Sequence, residues 1–255
     1  MVISFTILYL FIAILSAIDS EGTGTGSRIV IVRSRDTLIV AADSRLTFRK
    51  DFALFDSPLV QDSFCKIRRF DRTFVAAAGL YARKEFDVFQ IAARACQTQG
   101  TVYQKAQAFE SLVQDPLVSA WRDIRQNNLF GRSPALQSSQ IAFFAAYDEV
   151  PVLVLITVHP VMHQGQFSFL DSYTTRITRI LVPRGGANDS LYGIVMGYED
   201  PHFFKPVSEQ ALLDQAVQIL AEEVRTHDDS GGPVDVVAIT KHSESWLNKK
   251  PNCAE

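Results

Sequence analysis

Two short runs, RIVIV (28–32) and TLIVAA (37–42), constrain this chain more than any other feature, because both are β-branched or apolar at nearly every position. Side chains alternate between the two faces of a strand, so a run that is apolar throughout must be covered on both sides. The polar segment from Arg33 to Asp36 joins them, and the pair reads as a hairpin inside a sheet with no wet face. A second pair follows: CKIRRF (65–70), a turn at Asp71-Arg72, then TFVAAAG ending at Gly79. Between the pairs, Phe48 to Ser63 reads as an irregular loop.

Helical periodicity comes next, over roughly 82–98 and 102–128. The second segment carries Phe109, Leu112, Val113, Leu117, Ala120, Trp121 and Ile124 on one face, with Pro116 expected to bend it. Strands resume at 140–148, 150–158 and 166–171, then at Arg179 to Val182 and 191–197. A last helix is expected to start with Ser208 as its cap and to bury Leu213, Ala216, Val217, Leu220 and Val224 before VDVVAIT (234–240) closes the domain as a strand. Strands and helices that come in separate blocks predict an α+β domain of antiparallel sheets with helices on their outer faces. With 255 residues, 47% of them apolar, one large core suffices. A formal charge of −3 without a like-charge block gives no footprint for nucleic acid. Cys65, Cys96 and Cys253 lack CxxC or Cys/His spacing, so they read as ordinary thiols rather than a zinc site or a disulfide framework.

The chain opens on MVISFTILYLFIAILSAI, in which no side chain is charged, and Asp19 is the first that is. That length suits a signal-peptide core with Ala17 or Ser20 near the cleavage site, although the positive flank of such signals is missing. A retained membrane anchor and a buried first helix are the alternatives. EGTGTGS (21–27) reads as a hinge, which divides the chain into a leader (1–26), a domain (27–246) and an unstructured tail (247–255). A signal would imply export; Asn188-Asp189-Ser190 would then be a glycosylation triplet in a eukaryotic chain.

Four pieces together resemble the proteasome β-type subunits and their bacterial relatives, the N-terminal-nucleophile (Ntn) hydrolases: TLIVAADSRLT around Asp43, Lys66 in the next strand followed by AAAG at Gly79, FFAAYDEVPVLVLI, and DSGGPVDVVAIT. The resemblance implies a four-layer αββα sandwich of two stacked antiparallel sheets flanked by helices. It also implies a threonine- or serine-type peptidase that uncovers its own nucleophile, needs no cofactor, cleaves a peptide or small amide, and assembles as a homo-oligomer, with a ring as one form. A gapless count back from Asp43 places the terminal nucleophile at Ser27, preceded by Gly26. A free α-amino group, with a pKa of about 8, can take the serine's proton. The Lys66 ammonium would lower that amine's proton affinity while Asp43 holds the lysine. The family's oxyanion donor falls on the Gly79 amide, a kind of donor worth about 3 kcal/mol in the transition state. Ser230 and Asp228 are the remaining candidate catalytic positions.

Each residue also has an ordinary role open to it: Asp43 as a turn cap, Lys66 as a solvated strand lysine, Gly79 as a turn glycine, Ser27 as a loop residue with Thr23 and Thr25 as competitors. The match departs from the family where His227 stands at the aspartate position before Ser230, with Asp228 shifted by one, and where Tyr198 stands at a supporting serine. These departures favour a second reading, a non-catalytic structural subunit of a ring; a third, a tethered binding domain, needs the leader to stay on and is the only one that touches a membrane. Leu46, Phe64, Arg68 and Ala77 are the expected pocket residues, and Arg68 there would favour acidic side chains.

Overall fold

A computed structural model describes residues 22–26, 28–50, 59–83, 85–126, 139–147, 150–160, 162–163, 166–167, 173–180, 191–198, 201–228, 230–251 and 253. The expected signal segment, Ser27 and the Asn188 triplet lie outside them. The described chain runs through β1 (Gly22–Thr25), β2 (Ile29–Arg33), β3 (Thr37–Ala42), β4 (Leu46–Lys50), β5 (Leu59–Gln61), β6 (Ile67–Phe70), β7 (Thr73–Gly79), β8 (Ala82–Arg83) and β9 (Phe86–Asp87). Helices α1 (Val88–Cys96) and α2 (Val102–Gln126) follow. Then come β10 (Ser139–Tyr147), β11 (Val150–Pro160), β12 (Met162–His163), β13 (Gln166–Phe167), β14 (Tyr173–Ile180), β15 (Tyr192–Met196) and β16 (His202–Phe204). Helix α3 (Leu212–Thr226) precedes β17 (Asp235–Thr240) and β18 (Glu244–Asn248).

This is an α+β protein with several antiparallel sheets and, among the described residues, three helices. One large sheet has the order β16-β15-β2-β3-β17-β18, the other β14-β11-β10-β7-β6. The β2–β3 hairpin behaves as its sequence demands: Ile29, Ile31, Leu38 and Val40 pack into one apolar cluster, while Val30, Val32, Ile39 and Ala41 pack into another. The first cluster is shared with Phe74, Ala76, Ala142, Phe144 and Leu155 of the second large sheet, where Phe74 stacks on Phe144 at 5.6 Å. The opposite face of that second sheet joins Phe89 and Ile91 of α1 and Phe109, Val113 and Trp121 of α2 in the largest core. The other face of the hairpin is covered by Leu212, Ala216 and Leu220 of α3. Each large apolar side chain removed from water contributes on the order of 1.5–3 kcal/mol, so these faces fix the strand registers.

Several expectations need correction. The segment after Gly79 does not enter a helix at residue 82: two short strands intervene, and α1 starts at Val88, where the Asp87 carboxylate accepts the Phe89 and Gln90 amides as N-cap. The last helix starts at Leu212 rather than beside Ser208, and its buried stripe runs through Leu212, Ala216 and Leu220. Leu213 and Val217 are 39% and 41% exposed, because the Leu-Leu pair at its start allows two phases and the other one packs. The second helix is not among the corrected expectations: Pro116 lies inside α2, as its place in the sequence implies. EGTGTGS is not a hinge over Gly22–Thr25, since its backbone pairs with β4 and β8. The long loop contains two paired strand segments, Leu46–Lys50 and Leu59–Gln61.

Cysteine spacing also misled. Cys65 and Cys253 form a disulfide across a sequence separation of 188 residues, leaving Cys96 as the free, buried thiol. Closing a loop of that length restricts the unfolded chain and stabilises the fold by about 2–4 kcal/mol. The tail is not unstructured where it is described: β18 pairs with β17, and Lys250 and Cys253 are buried.

Candidate active site

Asp43 follows directly on β3, and its fully buried carboxylate is the hub of the site. Oδ1 accepts the Lys66 ammonium at 2.6 Å and the Arg28 amide at 2.8 Å, while Oδ2 accepts the Gly231 amide at 2.8 Å and the Arg45 amide at 3.2 Å. Four donors on two oxygens satisfy a buried carboxylate that would otherwise be costly to desolvate. Lys66 is equally buried at the mouth of β6, and its carbonyl accepts the Ala77 amide of β7 at 3.2 Å. A buried pair of this kind does little for net stability, yet it fixes one arrangement, because either charge left alone is heavily penalised. The sequence-based pairing of Asp43 with Lys66 is therefore realised in space.

The DSGG segment reaches the same carboxylate by its backbone. Gly231 donates its amide to Asp43, and its carbonyl accepts the Ser44 and Arg45 amides, each at 2.9 Å. Gly232 has φ of +73°, and a Cβ there would lie 2.4 Å from Ser44 Oγ and 2.7 Å from the Asp62 carbonyl. Ser230 is buried, with its amide donating to the His227 carbonyl at 3.1 Å. Asp228 is exposed, and its carbonyl accepts from Arg45 Nη1 at 3.1 Å. Arg45 in turn forms an exposed pair with Asp62 at 2.7 Å, which pulls the Asp62 carboxyl below its ordinary range.

Gly79 ends β7 opposite Ser139 of β10 with φ of +91°, a backbone conformation that glycine adopts without the strain a side chain would bring. Upstream of the expected nucleophile, β1 is the middle strand of a five-stranded sheet, ordered β5-β4-β1-β8-β9. Its register sets Thr25 opposite Thr47, and Gly24 opposite both Phe48 and Ala82. Ser27 itself lies outside the described residues, but the amide of the next residue, Arg28, is bound to Asp43.

Tyr198 stands among charged and aromatic side chains. Its phenol donates to Glu223 Oε2 at 2.5 Å, its ring stacks on His202 at 4.0 Å, and the Arg28 guanidinium lies over it at 4.6 Å. Burial first, and then the Glu223 carboxylate, raise the phenol above its ordinary pKa. Arg28 Nε is 3.3 Å from Glu223, and its Nη1 donates to the Gly197 carbonyl at 2.9 Å. His227 caps the end of α3, with Nδ1 3.0 Å from the Glu223 carbonyl. Gln140 was missed: buried in β10, its amide accepts Gly197 N at 2.9 Å and donates to the Tyr198 carbonyl at 2.8 Å, pinning this turn. A lone glutamine in an otherwise apolar strand was the available signal.

The expected pocket residues also meet. Leu46 and Ala77 belong to one buried cluster, Phe64 packs against it, and its ring sits edge-on to Tyr81 at 5.1 Å. The Arg68 guanidinium lies 4.3 Å from the Phe89 ring centre and 5.5 Å from that of Phe64, with Nε donating to the Cys65 carbonyl at 3.4 Å. Burial lowers its pKa, opposed by Asp87 and then Tyr81. No carboxylate among the described residues comes within ion-pairing distance of it. Among the described residues no cluster of side chains suits a metal ion. Comparison with protein-family models and with curated proteins gave no match.

Proposed function

We propose that this protein is an amide-bond hydrolase of the N-terminal-nucleophile type that removes its own leader to expose Ser27. The observation that carries the reading is β1: the segment just upstream of Gly26 is held as an extended strand between β4 and β8, the posture of a peptide presented for cleavage. The buried Asp43–Lys66 pair supports it, since the carboxylate oxygen that holds the ammonium also accepts the amide of Arg28, the residue after Ser27. The three cores, with helices beyond each large sheet, are what an αββα sandwich would have.

In this reading the Gly26–Ser27 amide is hydrolysed first, giving Ser27 a free α-amine. That amine then takes the Ser27 hydroxyl proton, Oγ attacks the substrate carbonyl, and the Gly79 amide receives the developing oxyanion. The amine leaving group departs protonated, and water releases the acyl group. Lys66 stays charged throughout, held by Asp43, and no cofactor takes part. The disulfide is consistent with an oxidising, exported location. No helix among the described residues is long and apolar enough to cross a membrane. A homo-oligomer, open to ring closure, is the assembly proposed with this activity.

Intact mass and N-terminal sequencing of the expressed full chain test the proposal. Wild type should begin at Ser27, whereas Ser27→Ala should retain Gly26 and residues before it. Identical N-termini upstream of Ser27 in both proteins would exclude self-processing. The second reading, a non-catalytic subunit, is favoured by one observation, the engagement of the Tyr198 hydroxyl by Glu223 at the place of a supporting serine. It predicts that unprocessed outcome.

Arg68 gives a specificity prediction. A guanidinium among aromatic rings, without a carboxylate partner among the described residues, should hold an acidic substrate side chain. A panel of fluorogenic peptides differing at the residue before the cleaved bond should show cleavage after Glu or Asp preferred over Leu. Arg68→Met should reduce that preference about 10- to 100-fold, the range of a charged hydrogen bond. Equal ratios in both proteins would remove the acidic pocket from the proposal.

A further inference from the structure

The residues after β18 return to the candidate site. Lys250, 5% exposed, places its ammonium 2.6 Å from Asp235 Oδ2 and donates to the Phe64 carbonyl at 2.8 Å. Its own amide donates to Asp235 Oδ1 at 2.9 Å, so both carboxylate oxygens of the fully buried Asp235 hold this one residue. Three residues on, Cys253 is bonded to Cys65. Asp235 sits in β17 opposite Ala42, the residue before Asp43. The tail thus grips Phe64 by its carbonyl and Cys65 by its sulfur, the two residues immediately before Lys66, while its anchor is the strand beside Asp43. Burial lowers the Lys250 pKa, with Asp235 first and Asp43 next in opposing that, so the second ammonium lies within the electrostatic reach of the hub.

From this geometry we propose that the C-terminal strap formed by Lys250 and Cys253 is a positioning device for Lys66, and that reduction of Cys65–Cys253 loosens Lys66 and slows the chemistry at Asp43–Lys66. The inference rests on the hydrolase reading for its consequence, though not for its geometry. Without the strap the strand entrance keeps the bond from the Phe64 amide to the Ser44 carbonyl at 3.1 Å but loses the ties on the Phe64 carbonyl and on Cys65, the ones nearest Lys66, and misplacement by about 1 Å can cost 10²-fold in rate. The switch step balances with a dithiol: its two thiols supply two electrons and two protons, Cys65 and Cys253 become thiols, and the reagent closes to a cyclic disulfide. The Lys250–Asp235 salt bridge passes through neither sulfur, so each clamp can be removed separately. Lys250→Met removes one, and Cys253→Ser or dithiothreitol removes the other.

Two readouts on the full chain test it. The first is acylation by a water-soluble N-hydroxysuccinimide acetate, read by peptide mass mapping at Lys66 and at Lys105, a buried lysine on α2 that hydrogen-bonds Thr73 and serves as the control for general opening. The expected result is protection of both in the oxidised wild type, and labelling of Lys66 but not Lys105 in Lys250→Met, in Cys253→Ser and after dithiothreitol. The second is the first-order rate of leader removal followed by mass, which should fall about 10- to 100-fold in the same three samples. Lys66 protection equal to wild type in all three, or labelling of Lys66 only together with Lys105, would overturn the positioning role. A wild type that never loses its leader counts against the hydrolase reading instead, and Lys66 labelling still decides the strap.

Discussion

Asp43→Asn is expected to destabilise the protein by about 3–5 kcal/mol and to leave the leader attached, because it strips the counter-charge from a fully buried ammonium. The substitution is nearly isosteric, so the cost is electrostatic and directional. Both carboxylate oxygens accept, from Lys66 and Arg28 on one side and from Gly231 and Arg45 on the other. An amide can offer an oxygen to only one side, and its NH₂ would face donors on the other. Lys66 must then lose its proton or draw in water, and either change removes the fixed cation beside residue 28. Urea denaturation at neutral pH measures the first effect and intact mass the second. A variant that melts like wild type would show that Lys66 finds another partner, and one that processes normally would show that the pair takes no part in the chemistry.

Gly232→Ala is expected to cost about 2–4 kcal/mol, combining a left-handed backbone with a clash that cannot be relieved by a rotamer. The new methyl would press on the Asp62 carbonyl, which belongs to the backbone, and on Ser44 Oγ, whose hydroxyl already donates to that carbonyl at 2.7 Å. Relief requires the 230–232 turn to move, and with it the Gly231 amide bound to Asp43. A chemical denaturation midpoint close to wild type would contradict this. If instead stability falls while leader removal persists, the turn holds the fold without controlling the carboxylate. Gly231→Ala makes a second comparison, since its Cβ would meet the Arg45 guanidinium, a side chain, rather than backbone.

The parts legible in the sequence were those where one residue type admits one environment. The β2–β3 hairpin could only be doubly covered, whereas the pairing of Asp43 with Lys66 was suggested by the resemblance of their segments to a known family, the residues alone leaving a turn cap and a solvated lysine open. Helix α2 announced itself through its apolar stripe, and Phe109, Val113, Leu117 and Trp121 are all in the core. What failed to show was whatever depends on distant pairing. Gly22–Thr25 looks like a hinge because glycine, which has a weak propensity for strand, alternates with threonine there, and only the neighbours β4 and β8 make the segment a strand. The phase of α3 was ambiguous between Leu212 and Leu213, and packing chose. Cys65 and Cys253 are too far apart in sequence for spacing to pair them. The roles of Asp228 and Gly231 were hidden for another reason: their backbone groups, not their side chains, make the contacts, and sequence patterns report side chains.

The central place of β1 has a topological price for any cleavage after Gly26. Five strands held together through their middle member become, when that member leaves, two separate strips, β5-β4 and β8-β9, each with a newly bare row of amides and carbonyls. Bare rows of this kind recruit extended chains indiscriminately unless something narrower than a random encounter fills them. In the hydrolase reading proposed above, the released leader would compete for those edges with any substrate chain.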